Sequence, residues 1–171
     1  MNSTLLKYGS LIFLLPFLQV SIFNNILLLD YINPLFYIIF VFVFPLSKNK
    51  TNLLLISFLL GICIDLLTND GGIHAFSLVF IAYIRLFFLY VLTGKNDSDL
   101  DQLKISKLSF PILFIWISLL TFIHHFIVFY LEQFSLIRFD NLLLKTFLTS
   151  LLSIVLIIFG LQLFLKKKSN A

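Results

Sequence analysis

Polar positions are sparse along this chain, and they divide it into six apolar runs. The runs cover Leu11–Leu29, Tyr31–Leu46, Leu53–Leu67, Ile73–Thr93, Leu108–Leu131 and Leu142–Leu165. A membrane-crossing helix needs about 20 apolar residues. The pattern therefore predicts six transmembrane helices over about 11–29, 31–46, 51–67, 73–93, 108–131 and 142–165, the shorter runs borrowing flanking residues such as Thr51 and Asn52. The break between the first two runs is the weakest and holds only Asp30, Asn33 and Pro34; a re-entrant pair is the alternative there. Segments such as residues 37–44 are apolar at both odd and even positions. That argues against a membrane barrel, whose strands alternate, and lipid favours the closed hydrogen bonding of helices.

Composition agrees. Of the 171 residues, 60% are hydrophobic and only 12% charged, against about 25% charged in an ordinary soluble domain, and the mean hydropathy is +1.07. A soluble globule of this size would present one large apolar surface, so a soluble enzyme, a disordered chain and a nucleic-acid binder are excluded. Six helices leave no length for a second, soluble domain. The single cysteine, Cys63, supports neither an internal disulfide nor a thiolate metal cluster. The first run ends in Asn24-Asn25 without a small-residue cleavage site and reads as a retained span.

Charge supplies an orientation. With the N-terminus inside, nine lysines fall on the inner side (Lys7, Lys48, Lys50, Lys95, Lys104, Lys107, Lys166, Lys167, Lys168) and two basic residues, Arg138 and Lys145, on the outer side. This asymmetry places both termini in the cytoplasm. The loop from Lys95 to Lys107 reads as a solvated connector or a docking site for a cytoplasmic partner, and Lys166–Lys168 as an anchor on anionic lipid headgroups.

Polar groups inside spans cost roughly 2.5–3.5 kcal/mol each on insertion scales, which makes them functional candidates. Gly61 and Asp65 lie four residues apart on one helix face, and the glycine permits close helix approach. The turn Thr68-Asn69-Asp70-Gly71-Gly72 follows, its paired glycines suited to positive φ, and then His74. Asp65 and His74 share a depth and are expected to meet across the hairpin, as a structural latch or, less favoured, a catalytic pair. Arg85 lies eleven residues beyond His74, roughly 16 Å deeper. It is expected to snorkel to the cytoplasmic surface or to pair with a partner's carboxylate. Of the adjacent His124 and His125, the latter shares a face with Ser118 and Thr121 and is expected to point inward, toward Asp65 and His74. No spacing supports a metal site, and no cofactor is expected. The stripe Thr146, Thr149, Ser150, Ser153 and Gly160 reads as a helix-packing surface, and the many phenylalanines as lipid-facing bulk.

Gly61-Ile62-Cys63-Ile64-Asp65-Leu66-Leu67, the short Asn/Asp/Gly turn, and Gly72-Ile73-His74-Ala75-Phe76 together resemble MreD, the small polytopic subunit of the bacterial rod-shape complex. The resemblance is specific from Gly61 to about Arg85 and architectural elsewhere; the aromatic richness and Arg85 itself fall outside it. It implies a fold similar to the substrate-binding subunits of energy-coupling-factor transporters. It also implies a non-enzymatic scaffold in the bacterial cytoplasmic (inner) membrane. Such a scaffold binds the single-span MreC and, within one complex, MreB and RodA with its transpeptidase partner, so directing side-wall peptidoglycan synthesis. Two other classes remain open on the residues: a small-molecule-binding transporter subunit using Asp65, His74 and His125, and an intramembrane enzyme using Asp65 with a histidine.

Overall fold

The computed structural model describes residues 8–26, 32–46, 50–95, 105–133 and 139–169, with side chains to residue 164 in the last stretch. The described chain is helical. In order it forms α1 (Leu11–Ser21), a 3-10 turn at Phe23–Asn25, a second at Phe36–Ile38 leading into α2 (Ile39–Val43), then α3 (Thr51–Thr68), α4 (Ile73–Thr93), a 3-10 turn at Ile105–Lys107, α5 (Phe110–Gln133) and α6 (Phe139–Ser169). Most of the Lys95–Lys107 connector and the side chains of Lys166–Lys168 lie outside the described residues.

Four helices, α3 to α6, are long and apolar enough to cross a membrane. In each, 39–44% of the most apolar window is buried within the bundle. The rest of each helix points outward and carries large apolar groups such as Leu66, Phe87, Val155 and Phe159, as a surface solvated by lipid requires. The chain is a helical membrane protein.

The first two runs do not form the spanning helices that their composition predicts. α1 ends after 11 residues. The second run is bracketed by Pro34 and Pro45, and a proline pushes the residue before it out of the helical region. Phe44 is accordingly extended, at φ −66° and ψ 137°. Only ten residues, 35–44, lie between the two prolines, and α2 is five residues long.

What the second run makes instead is the centre of the molecule. Tyr37, Ile38, Ile39, Phe40, Val41 and Phe42 are all at most 1% exposed. A segment apolar on every side is one buried on every side, and α2 touches α3, α4 and α6. Around it, α3 packs on α4, α4 on α5 and α5 on α6, with α1 against α3. Gly160 of α6 admits the short helix: a Cβ there would stand 2.6 Å from Ile39 Cδ1 and 3.2 Å from the Phe36 ring. Thr146, Thr149, Ser150 and Ser153 are buried, so the small-residue stripe of α6 packs inside the bundle. The aromatics divide: Phe13, Phe17 and Phe87 face outward, whereas Tyr37, Phe40, Phe42 and Trp116 belong to the core.

Candidate functional site

The α3–α4 hairpin is built around Asp65, in two directions at once. Its main-chain carbonyl accepts the N–H groups of Asn69 and Asp70, closing the end of α3. Its carboxylate accepts the N–H groups of His74 and Ala75, each at 2.9 Å, and so caps the start of α4. These are N–H groups that a helix start leaves without an intrahelical partner, and a carboxylate at that end also faces the favourable pole of the helix dipole. The turn between them needs left-handed backbone at Asn69, Gly71 and Gly72 (φ 62°, 64° and 99°). Gly72 is the N-cap of α4 and supplies no side chain to cap it; Asp65 does so from the neighbouring helix. Gly61, one turn earlier, lets the two backbones meet, because a Cβ there would lie 2.3 Å from Ala75 Cα.

Asp65 thus engages the main chain of His74 and not its imidazole. The ring turns the other way: Nε2 lies 3.0 Å from Asp70 Oδ2, and Nδ1 lies 2.7 Å from the Tyr37 hydroxyl. The same hydroxyl lies 3.1 Å from His124 Nε2. A chain of four polar groups therefore runs from Asp70, whose side chain is 30% exposed, to the fully buried His124.

His125 is equally buried but belongs to a separate set of bonds. Its Nδ1 lies 2.8 Å from the Thr121 carbonyl and its Nε2 2.9 Å from Ser153 Oγ, which in turn accepts the N–H of Leu35 at 3.2 Å. The expectation that His125 joins Asp65 and His74 is corrected: His124 reaches His74, by way of Tyr37. Both histidines can be internal, although adjacent residues point about 100° apart, because α5 lies between α4 and α6 with the second run beside it.

Two further polar residues hold the broken first segment. Gln19 of α1 accepts the N–H of Phe36 at 2.8 Å through Oε1 and donates through Nε2 to the Pro34 carbonyl at 3.0 Å. It thereby serves the turn that starts the second run. Arg85 serves the other end. Nη1 donates to the carbonyls of Val41 and Phe44, the latter at 3.0 Å, and Nη2 to that of Pro45; Nε is left without a partner. Arg85 is 1% exposed, so it does not snorkel. Trp116 Nε1 donates to the Arg85 carbonyl at 2.9 Å.

No family model, curated protein or solved structure matches this chain. The site is therefore read from its own geometry. Of the residues singled out in the sequence, Gly61, Asp65, Gly71, Gly72 and His74 come together in one hairpin, and Arg85 and His125 sit apart from it. Sequence reasoning missed Gln19, Tyr37 and Trp116. The signal for Gln19 was present, as an amide in the middle of an apolar run; Tyr37 had none beyond its hydroxyl. Among the described residues no group of three or more His, Cys, Asp or Glu side chains is arranged to hold a metal ion.

The double role of Asp65 makes a specific expectation. Asp65→Asn keeps one acceptor oxygen and turns an NH2 group toward an N–H. One N–H of α4 then loses its partner, at a cost of about 1–3 kcal/mol. Asp65→Asn should unfold earlier than wild type in mild detergent, and an unchanged melting curve would show that the carboxylate is not needed there.

Proposed function

We propose that this chain is a non-enzymatic membrane scaffold of the MreD type, seated in the bacterial cytoplasmic membrane with both termini inside. It would bind MreC and, through it or directly, MreB and RodA with its transpeptidase partner, helping direct side-wall peptidoglycan synthesis. The observation that carries the reading is the α3–α4 hairpin. Each motif residue that resembles MreD has a structural task there: Gly61 the close approach, Asp65 both caps, Gly72 the left-handed entry to α4. His74 is bonded on both ring nitrogens. Residues so engaged build a rigid, shaped element of the kind that docks a partner. Reading frames for MreB and MreC beside the gene would support the proposal cheaply. The direct test is purification of the tagged protein from its own cells in several mild detergents, with a single-span cell-wall component expected alongside it. Recovery of no such component under any of them overturns the proposal.

A second reading, a small-molecule-binding subunit of an energy-coupling-factor-type transporter, is favoured by one observation. The first segment is discontinuous, and broken helices in membrane proteins often border binding sites. A thermal-shift screen that finds no stabilising ligand counts against it.

A further inference from the structure

The helices of this bundle do not end together on the side that carries Lys50 and Lys95. A Cβ on Gly61 would collide with Ala75, so these two residues stand opposite each other across the α3–α4 hairpin. Counting along both helices from that point sets Thr51 opposite Arg85 and Lys50 opposite Leu86. α3 starts there, yet α4 continues to Thr93, about 10 Å further. α5 does the same: Trp116 is level with Arg85, to whose carbonyl it donates, and the helix reaches back to Phe110, about 9 Å beyond. α2 ends at the lower level, since Arg85 holds the Phe44 carbonyl, and Tyr8, just ahead of α1, packs its ring on Phe44 at 4.9 Å. The longer helices carry Phe87, Tyr90 and Val91 of α4 and Phe110 and Phe114 of α5 on the outside, each at least 44% exposed, and apolar groups of that size belong in lipid. The start of α3 therefore lies about two turns inside the bilayer.

Lys50 faces that lipid. Its Nζ donates to the Tyr83 carbonyl at 3.3 Å and lies 4.7 Å from the centre of the Tyr83 ring, and Tyr83 is 59% exposed. A charge at such depth is costly unless it is paired, reaches the surface or draws polar groups down to itself. The chain offers no pairing here: the ion pairs among the described residues, His74–Asp70 and Lys145–Glu132, are both at the other end of the bundle, and residues 1–64 contain one acidic residue, Asp30. The four-carbon stem of a lysine is shorter than the rise of α4 beyond it. The surroundings add positive potential. The first turn of α3 has no acidic residue and no side-chain cap to offset the positive pole of its dipole. Arg85, level with Thr51, donates only to carbonyls and so keeps a full charge at the same depth. Being 1% exposed, it acts through its field, which low-dielectric surroundings screen little.

We propose that the start of α3 binds the headgroup of an anionic phospholipid, with a phosphate oxygen accepting from Lys50 Nζ. A lipid is favoured over a free anion by what lies deeper on the same face of α4. Tyr83, Phe80 and Phe76 follow one another at helical spacing toward the bilayer centre, all of them exposed. An acyl chain joined to a phosphate at Lys50 lies along this aromatic stripe, which a free phosphate would leave unused. Phe87 and Tyr90 flank the headgroup on the other side. Drawing a phosphate down to Lys50 thins the leaflet locally, the ordinary response to a short hydrophobic element. A zwitterionic headgroup brings its own ammonium into the positive potential and gains less from it, so the site selects lipids by charge. Basic pockets between transmembrane helices hold acidic headgroups in this way. The site needs no partner protein and no assignment of which side is cytoplasmic, so it stands or falls apart from the scaffold reading.

Native mass spectrometry of the full chain tests it, after incubation in mild detergent with equal amounts of phosphatidylglycerol and phosphatidylcholine. Wild type should retain phosphatidylglycerol in preference to phosphatidylcholine, and should melt later with the former than with the latter. Lys50→Gln should weaken that retention about fivefold, the equivalent of the ~1 kcal/mol that one lysine contributes near an anionic surface, and Lys50→Arg should keep it. Lys95→Gln is the control: Lys95 is an exposed lysine at the same end, beyond the last residue of α4, and its loss should leave retention unchanged. The proposal is overturned if the two lipids are retained equally or if Lys50→Gln retains phosphatidylglycerol as wild type does. It is also overturned if Lys95→Gln weakens retention as much as Lys50→Gln, which would make the attraction a diffuse property of the basic end. Inorganic phosphate supplies the last arm. It should neither displace the lipid nor raise the melting temperature, and displacement by it would assign the site to a free anion and overturn the lipid.

Discussion

Arg85→Met is expected to be among the most destabilising substitutions in this protein, although it removes a charge from the membrane interior. Two effects oppose each other. Losing the charge relieves an insertion cost of roughly 2.5–3.5 kcal/mol. Against it, the carbonyls of Val41, Phe44 and Pro45 lose their donors; an orphaned buried acceptor such as Val41 or Phe44 costs about 1–3 kcal/mol, and the exposed Pro45 costs less. Two of these carbonyls belong to the proline-bracketed end of α2, where Phe44 has already turned extended, so the backbone cannot rebuild the bonds by continuing as helix. Together the acceptors outweigh one charge, and the net loss should be about 1–3 kcal/mol. Methionine keeps much of the volume, so the loss reads the hydrogen bonds more than a cavity. Arg85→Lys should recover part of it only: an ammonium supplies donors but not the planar fork that reaches three carbonyls at once. Trp116 reports the event, since it is the one tryptophan of the chain, is bonded to the Arg85 carbonyl and lies edge-on to Phe42 at 5.2 Å. Unfolding in mild detergent followed by its fluorescence should show Arg85→Met well below wild type. Equal stability would mean that α2 holds its place by packing alone.

That competition also explains where the sequence was readable and where it was not. The runs at 51–67, 73–93, 108–131 and 142–165 fold as helices close to those limits, because in lipid an apolar stretch of that length has few other ways to satisfy its backbone. The run at 31–46 carries the same composition and does something else. Its apolar character comes from burial against other helices, and hydropathy does not distinguish a lipid-facing surface from a protein core. Pro34 and Pro45 were the local signs that no long helix fits between them. At the hairpin, the spacing of Gly61 and Asp65 and the glycines of the turn pointed to a close approach, since these depend on backbone geometry near in sequence. The partners of the side chains did not follow. His74 lies at the right depth to meet Asp65, yet the nearer Asp70, four residues back on the same side, takes its ring, and Asp65 is occupied by main-chain N–H groups. From sequence, Arg85 reads as snorkelling because it lies about 12 Å from the inner end of its span, within reach of a long side chain. Its partners lie 40 to 44 residues away in sequence, on a segment whose break could not be located from periodicity.

Gly61→Ala carries the other large expected effect, and it acts through geometry alone. The added methyl would sit 2.3 Å from Ala75 Cα, 2.7 Å from Ala75 N and 3.0 Å from the His74 carbonyl carbon. All three are backbone atoms of the first turn of α4, so no side-chain rotation relieves them. Ala75→Gly should not rescue the variant either, because the collision is with Cα and N and not with the alanine methyl. The helices must separate, and the first bonds to lengthen are those from Asp65 to the N–H groups of His74 and Ala75, both 2.9 Å in the native hairpin. Overpacking costs about 1–3 kcal/mol, and a hydrogen bond to a charged group contributes about 1.5–3 kcal/mol, so a loss of roughly 3–5 kcal/mol is expected. Gly9→Ala is the matched control, since a Cβ at Gly9 meets nothing within 4 Å. If Gly61→Ala melts with Gly9→Ala and wild type, the α3–α4 backbones are not in contact in the membrane, and a hairpin held by Asp65 cannot be a docking element. If it melts far below them while Asp65→Asn falls by the smaller amount, the close approach comes first and the carboxylate caps follow from it. A docking element built on this hairpin should then lose its partner in the same order.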